Sequence, residues 1–339
     1  MTSCTLYFFH LIVIIALILL LETPPPYGDA QLVQDHVGSP SLHFVAIGDW
    51  GAPLTSPHQR AGQQAVADGV ASWLEKLAHT NVGDKIDPFI LSLGDNFYPS
   101  GVRDVREMDE RFDQTFEKVY SHDVFDNVPW YVVAGNKDYE DGGNVTAQMN
   151  FIGSSRWNFP DYFHRVVRQV RVPIDAGGTI TVEIIMIDTT ILSGKLSDDD
   201  ETLAERGFKW IEHQLQRSDA DYLVVVGHFP ARLVHGLEEL FGAYNVSASV
   251  AGHNHCQRHY RKYGVDHFIS GAGMELDCLG DVIDNENSTG GFVSFQVRDK
   301  NMMVRFHDQS GIPLRLVEIS PRFERAGLTG REFSTERRA

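Results

Sequence analysis

Five times along this 339-residue chain a short apolar, β-branched run stops at a glycine and gives way to a residue able to bind a cation. Residues 42–47 run into Gly48-Asp49-Trp50-Gly51, and residues 88–93 into Gly94-Asp95-Asn96-Phe97-Tyr98. Residues 129–133 reach Gly135-Asn136-Lys137-Asp138, residues 222–226 reach Gly227-His228-Phe229-Pro230, and residues 248–251 reach Gly252-His253-Asn254-His255. Runs of this length bounded by glycine read as strands. Helical stretches at residues 59–79 and near 106–120 separate the first three, which predicts a βαβαβ unit with a parallel sheet and right-handed crossovers. A second set begins with a strand at residues 180–187, ending at Asp188-Thr189-Thr190, and a helix at 204–216. Residues 292–297 and 302–307 read as an antiparallel hairpin. The expected architecture is α/β, a four-layer α-β-β-α sandwich of two mixed sheets flanked by helices.

Loops at the carboxyl ends of strands in such sheets share one edge, where ligands bind. Glycine there permits tight turns and close backbone approach. Each residue also has a simpler reading when taken singly. A Gly-Asp after a strand makes a turn or a helix N-cap. Asn136 tolerates a left-handed turn, Tyr98 reads as a half-buried tyrosine, and His228 as a core histidine. His253 and His255, two apart, point to the same side of an extended segment. Their shared position at strand ends argues for one site. Carboxylate, carboxamide, phenol and imidazole form a mixed hard and borderline set, suited to iron, manganese or zinc rather than to thiolate chemistry.

In this order the motifs resemble those of the purple acid phosphatases of the metallophosphoesterase superfamily, in particular the small tartrate-resistant animal-type enzymes. Asn144-Val145-Thr146-Ala147-Gln148, Arg156-Trp157-Asn158-Phe159-Pro160 and Gly271-Ala272-Gly273 extend the likeness over nearly the whole chain after its first segment. The resemblance implies a dinuclear centre: Asp49, Tyr98 and His255 on Fe(3+), Asn136, His228 and His253 on a second divalent ion (Fe, Zn or Mn), and Asp95 bridging. Two ions roughly 3.5–4 Å apart clamp a phosphate monoester and supply hydroxide at mildly acidic pH. Lys137 stands where the family has a substrate-side histidine. Its ordinary pKa of about 10.4 suits a phosphate contact better than proton donation. His235 is the second candidate on the substrate side, in a segment shorter than the family's, and Asn96 is expected just behind the ligands. The family's exposed, protease-sensitive loop corresponds to residues 192–202, with Asp198-Asp199-Asp200-Glu201. The same likeness admits two other functions: a non-catalytic scaffold or membrane-tethered interaction protein, and a phosphodiesterase or nucleotide hydrolase.

Composition bounds the setting. With 46 acidic against 29 basic residues and a net charge of −17, nucleic acid is not expected as a partner. Residues 6–21 are almost unbroken apolar sequence, and Gly28-Asp29-Ala30 offers small residues at −3 and −1 of a cut after Ala30. That matches a secretory signal peptide over residues 1–30, although no Lys or Arg precedes it; a retained signal anchor is the alternative, and the only route to a membrane. The expected compartment is secreted or lumenal, lysosome-like included. One domain then covers residues 31–319, followed by a polar tail over 320–339. Cys256 and Cys278 form one disulfide or remain two buried thiols. Asn144, Asn245 and Asn287 head glycosylation sequons.

Overall fold

Alternation along β2 (Ser41–Ile47) sets the layering of the protein. Leu42, Phe44 and Ala46 face one core, while Val45 and Ile47 face another on the opposite side of the sheet. The structure, a computed structural model, describes residues 31–33, 41–80, 86–172, 178–194, 200–277, 283, 288–298 and 301–322.

Two seven-stranded sheets stack on each other. The first runs β14 (Pro313–Ile319), β13 (Asn301–Asp308), β12 (Gly291–Arg298), β2, β3 (Phe89–Ser92), β4 (Trp130–Val132) and β5 (Trp157–Asn158). The second runs β1 (Gln31–Val33), β6 (Phe163–Val172), β7 (Gly178–Ile187), β8 (Tyr222–Val226), β9 (Ala248–Ala251), β11 (Val265–Ser270) and β10 (Gln257–Lys262). Strands β2, β3 and β4 are parallel, as are β7, β8 and β9, while β12 lies antiparallel to β2. Both sheets are therefore mixed, as expected. Apolar side chains from both inner faces, among them Phe44, Phe89, Val224 and Phe295, form the core between them. Helices α1 (Pro57–Thr80) and α2 (Val105–Phe112) cover the outer face of the first sheet. Helices α5 (Asp200–Arg217) and α6 (Leu237–Ala243) cover that of the second. Shorter helices are α3 (Val145–Met149) and α4 (Thr189–Leu192). No described helix is long and apolar enough to cross a membrane.

Three features depart from the sequence reading. The helix expected near residues 106–120 ends at Phe112 and continues as a π-turn over Asp113–Glu117. Strand β6, which pairs antiparallel with β7 over ten residues, was not expected because Arg165, Arg168 and Gln169 interrupt its apolar pattern. Arg165 instead meets Glu183 across the strand pair, and Arg168 is buried, its guanidinium over the Phe89 and Tyr131 rings. Arg322, placed in the polar tail, is wholly buried and donates to the carbonyls of Ser218, Ala220, Tyr244 and Asn245. The ordered domain thus runs past residue 319. Residues 323–339, like 1–30, lie outside the described residues.

Trp50, directly after Asp49, is the centre of an aromatic cluster beneath the first sheet. It meets Phe97, Phe116, Tyr120, Trp130 and Trp157 at centroid distances of 5.6–6.3 Å, and its Nε1 donates to Ser92 Oγ at 2.7 Å. The substitution Trp50→Ala is expected to cost about 3–5 kcal/mol in denaturant unfolding, from lost transfer energy and the cavity left behind. A loss below about 1 kcal/mol would show that the cluster does not anchor this loop.

Candidate metal centre

Strands β2, β3 and β4 of one sheet and β8 and β9 of the other end at the same edge, so their five loops meet between the sheets. Asp49, Asp95 and His253 take up left-handed backbone, with φ of 58°, 53° and 67°. Such conformations are costly outside glycine and persist where the surroundings over-determine them. Two glycines let the loops close. A Cβ on Gly135 would lie 2.2 Å from Asp95 Oδ1, and one on Gly252 would lie 2.6 Å from Asp49 Oδ2.

Around Asp95 the donors fall into two groups. In the first, Tyr98 Oη lies 3.0 Å from Asp49 Oδ1, 2.7 Å from Asp95 Oδ2 and 3.0 Å from His255 Nε2. In the second, Asn136 Oδ1 lies 3.0 Å from His228 Nε2 and 3.1 Å from His253 Nδ1, with His228 Nε2 3.3 Å from Asp95 Oδ1. All seven residues singled out in the sequence are therefore together. Asp49, Asp95 and His228 are buried, with ligand atoms all within 4.8 Å of one another, a group that could hold a metal ion.

The second layer fixes which atoms face inward. His228 Nδ1 donates to the Leu93 carbonyl at 2.9 Å, which leaves the Nε2 lone pair turned toward Asn136 and Asp95. His255 Nδ1 meets Glu275 Oε1 at 3.2 Å and turns Nε2 toward Tyr98. Asn136 Nδ2 donates to Glu140 at 2.7 Å, so Oδ1 is the inward atom. The phenol has one proton for three acceptors, and the amide oxygen faces two imidazole nitrogens. Lone pairs crowded in this way are what a cation relieves, and oriented imidazoles backed by carbonyl or carboxylate are typical of metal ligands. The donor set fits metal ions.

The ionisation equilibria of these residues agree. Burial raises Asp95 above the ordinary carboxylate value, with Asp49 adding to it against the pull of His228. Burial and the charges of Asp49 and Asp95 push the Tyr98 phenol well above its usual value. Burial opposes protonation of His255, but the Asp49 hydrogen bond and charge outweigh it and raise the imidazole to about 9.

Other expectations fare variously. The segment of His253 and His255 is not extended: it bends at His253, and the two rings serve different groups rather than one side. Asn96 braces the site from behind, accepting from Ser92 Oγ at 2.6 Å and donating to the Val133 carbonyl at 3.0 Å. Lys137 lies at the mouth, its Nζ 2.6 Å from Glu140 Oε2 and its N–H on Asp95 Oδ1 at 2.8 Å. His235 is exposed on the turn before α6. Asn144 is exposed at the N-cap of α3. Asn245 is half-buried, and its Nδ2 donates to the Arg322 carbonyl at 2.8 Å. Cys256 is buried, while Cys278, Asn287 and residues 195–199 of the acidic loop lie outside the described residues.

Sequence reasoning missed the supports. Asp138 is fully buried and accepts from the backbone N–H groups of Asn96 and Gly135 and from Gln148, joining the loops after β3 and β4. Burial and the Asp95 charge raise it to about 7. Thr189 Oγ1 accepts from the N–H groups of His228 and Phe229 at 3.0 and 2.7 Å. Asp188 caps α4 and accepts from Tyr139 Oη at 2.6 Å.

The sequence profile of the calcineurin-like phosphoesterases matches residues 42–271. Tartrate-resistant acid phosphatase type 5 from Homo sapiens is 36% identical over 307 residues, covering 80% of this chain and 89% of that protein. This chain belongs to the purple acid phosphatase family of calcineurin-like phosphoesterases. Purple acid phosphatase 7 of Arabidopsis thaliana is more distant, at 27% identity over 83% of this chain and 87% of its own length. Among solved structures, GAP50, described as the anchor in the inner membrane complex of Plasmodium, superposes with a TM-score of 0.69 at 21% identity. It covers 83% of this chain and 89% of that one, a likeness of fold alone.

Asp188, behind the ligand His228, gives a pH test. Burial raises its pKa from 3.8 to about 6, so the folded state holds this proton longer than the unfolded chain does. Stability from it is full below about pH 4 and is lost as pH rises through about 6. The variant Asp188→Asn, which stays neutral, should flatten this part of the decline in urea midpoint from acidic to neutral pH. An unchanged decline would rule the assignment out.

Proposed function

We propose that the protein is an acid phosphatase hydrolysing phosphate monoesters at a dinuclear, iron-containing centre. The observation that supports this best is the division of the donors into two groups that share Asp95. Asp49, Tyr98 and His255 would hold the ferric ion, Asn136, His228 and His253 a divalent iron, zinc or manganese, and Asp95 would bridge. Carboxylate and phenolate favour the harder, more charged ion, while the neutral amide and imidazoles suit a divalent one. Such a pair supplies Lewis acidity to phosphoryl oxygens and acidifies water.

The chain's own groups do the rest. Leu93, Glu275, Glu140 and Thr189 keep the donor atoms aimed inward, so little reorganisation accompanies binding. Lys137 brings a cation to the mouth, placed to meet a phosphate oxygen and to balance charge on the phosphoryl group as its ester bond breaks. An ammonium group is by nature a weaker proton donor than an imidazolium to the leaving alcohol, which predicts slow turnover. The apolar segment at residues 6–21 and the exposed sequon at Asn144 support a secreted or lumenal setting.

The test is hydrolysis of p-nitrophenyl phosphate between about pH 4 and pH 8 by iron-loaded protein and its Lys137→His variant. The wild type should turn over, and the variant should be faster by about 10²-fold, the lower end of general-acid contributions. Tyr98→Phe should abolish the visible phenolate-to-iron absorption whatever its activity. If wild type and Lys137→His are both inactive at full metal occupancy, the phosphatase reading is wrong and a scaffold role replaces it.

A further inference from the structure

At the end of the first sheet opposite the metal-centre loops, a hollow of about 340 Å³ opens between the last turns of α1 and the outer faces of β2, β12 and β13. Along β2 the outward side chains change from apolar Val45 and Ile47 under the middle of α1 to polar Ser41 and His43 under its end. Register continues the polar patch sideways. His43 pairs with Gln296, Ser41 with Arg298, and Ser294 with Arg305. His43 and Ser294 are each only 2% exposed, so the floor is polar and buried where a sheet under a helix is ordinarily apolar.

Three cations line this hollow, Lys76 from α1 with Arg298 and Arg305 from the sheet, and Trp73 forms an apolar wall. No carboxylate is among its described lining residues. Lys76 and Arg305 have no ion pair among the described residues. Among the described residues Arg305 donates to neutral acceptors, Gln296 Oε1 at 3.3 Å and Met303 Sδ at 3.4 Å. Burial and then the two arginines drive His43 down to about 4, so it is a neutral part of the floor. The negative end of the α1 dipole explains a lysine in its last turns. It explains neither the two arginines nor the polar floor, and in a chain of net charge −17 such a concentration of positive charge is unusual.

We propose that this hollow is a second binding site, for a small phosphate-bearing anion of about the size of pyrophosphate. Lys76 and Arg305 would take the phosphate oxygens through charge-assisted hydrogen bonds, the Gln296 amide N–H would add a neutral donor, and Trp73 would close one side, while Ser294 Oγ stays on His307 Nε2 at 2.8 Å within the floor. The site lies a strand length from the metal-centre loops, about 20 Å at the usual rise per residue, and is independent of them.

The experiment follows the indole N–H resonances of the isotopically labelled full chain, metals included, during titration with inorganic pyrophosphate. Trp73 reports the hollow and Trp50 the metal-centre loops, so binding at the two places is read separately. The Trp73 signal should move saturably, and added salt should weaken the effect by screening. Lys76→Gln, at an exposed helix position, should weaken the Trp73 titration about tenfold, and Lys76→Gln with Arg305→Gln further, with Trp50 titrating as before. A Trp73 signal unmoved by millimolar pyrophosphate overturns the proposal, as does equal affinity in Lys76→Gln.

Discussion

Two buried carboxylates, a phenol and three imidazoles held within hydrogen-bond distance of one another repel unless something positive lies among them, and much of this fold serves to keep them there. The strain is visible in Asp95 and Tyr98, which burial first and neighbouring carboxylates second push toward their neutral forms, and in His255, which the Asp49 hydrogen bond and charge pull toward its charged one against burial. A metal-free chain answers with protons and a metal-loaded one with cations. The scaffold has to resist the difference. It does so through backbone groups: the Leu93 carbonyl on His228, the N–H groups of Asn96 and Gly135 on Asp138, and those of His228 and Phe229 on Thr189. Backbone partners cannot rotate away, which is why the loops stay closed on a strained, left-handed set of ligand positions.

The same arrangement explains how two sheets form one site. Each group of donors draws on both sheets, the first joining Asp49 and Tyr98 to His255 and the second joining Asn136 to His228 and His253. The apolar core between the sheets fixes their spacing, and Trp50 locks the first loop from the other side. Stability and site geometry are coupled here, because a shift of one sheet against the other would separate the donor groups.

Much of this was legible in the chain. The parallel strands could be read because each is a short apolar run that ends sharply at glycine, and the ligands because they follow at once. Strand β6 could not, since its buried arginines satisfy themselves on Glu183, Tyr131 and ring faces that only the fold brings near. The supports escaped for a related reason. Asp138, Thr189 and Glu275 act on backbone N–H groups or on the far nitrogen of an imidazole, and no spacing in sequence marks such a partner. The left-handed turn at His253 likewise overrode the alternation that put its ring beside His255. The family resemblance supplied the assignment of the two rings to different groups, which periodicity alone had wrong.

Lys137 gains its meaning from Glu140. One carboxylate holds both the lysine Nζ and the Asn136 amide nitrogen, so the residue that keeps Asn136 correctly turned also stands beside the Lys137 cation. Both partners of the ion pair are partly exposed, at 34% and 42%, and exposed pairs contribute little, about 0–1 kcal/mol. A phosphate dianion bound as proposed would therefore exchange with Glu140 for the lysine at small cost, whereas Asn136 would keep its hydrogen bond as long as the carboxylate stays near. Replacement of a histidine by lysine at this position thus changes two properties together. In the proposed reaction, proton donation to a leaving group would weaken, and the cation would stay partly screened until an anion arrived.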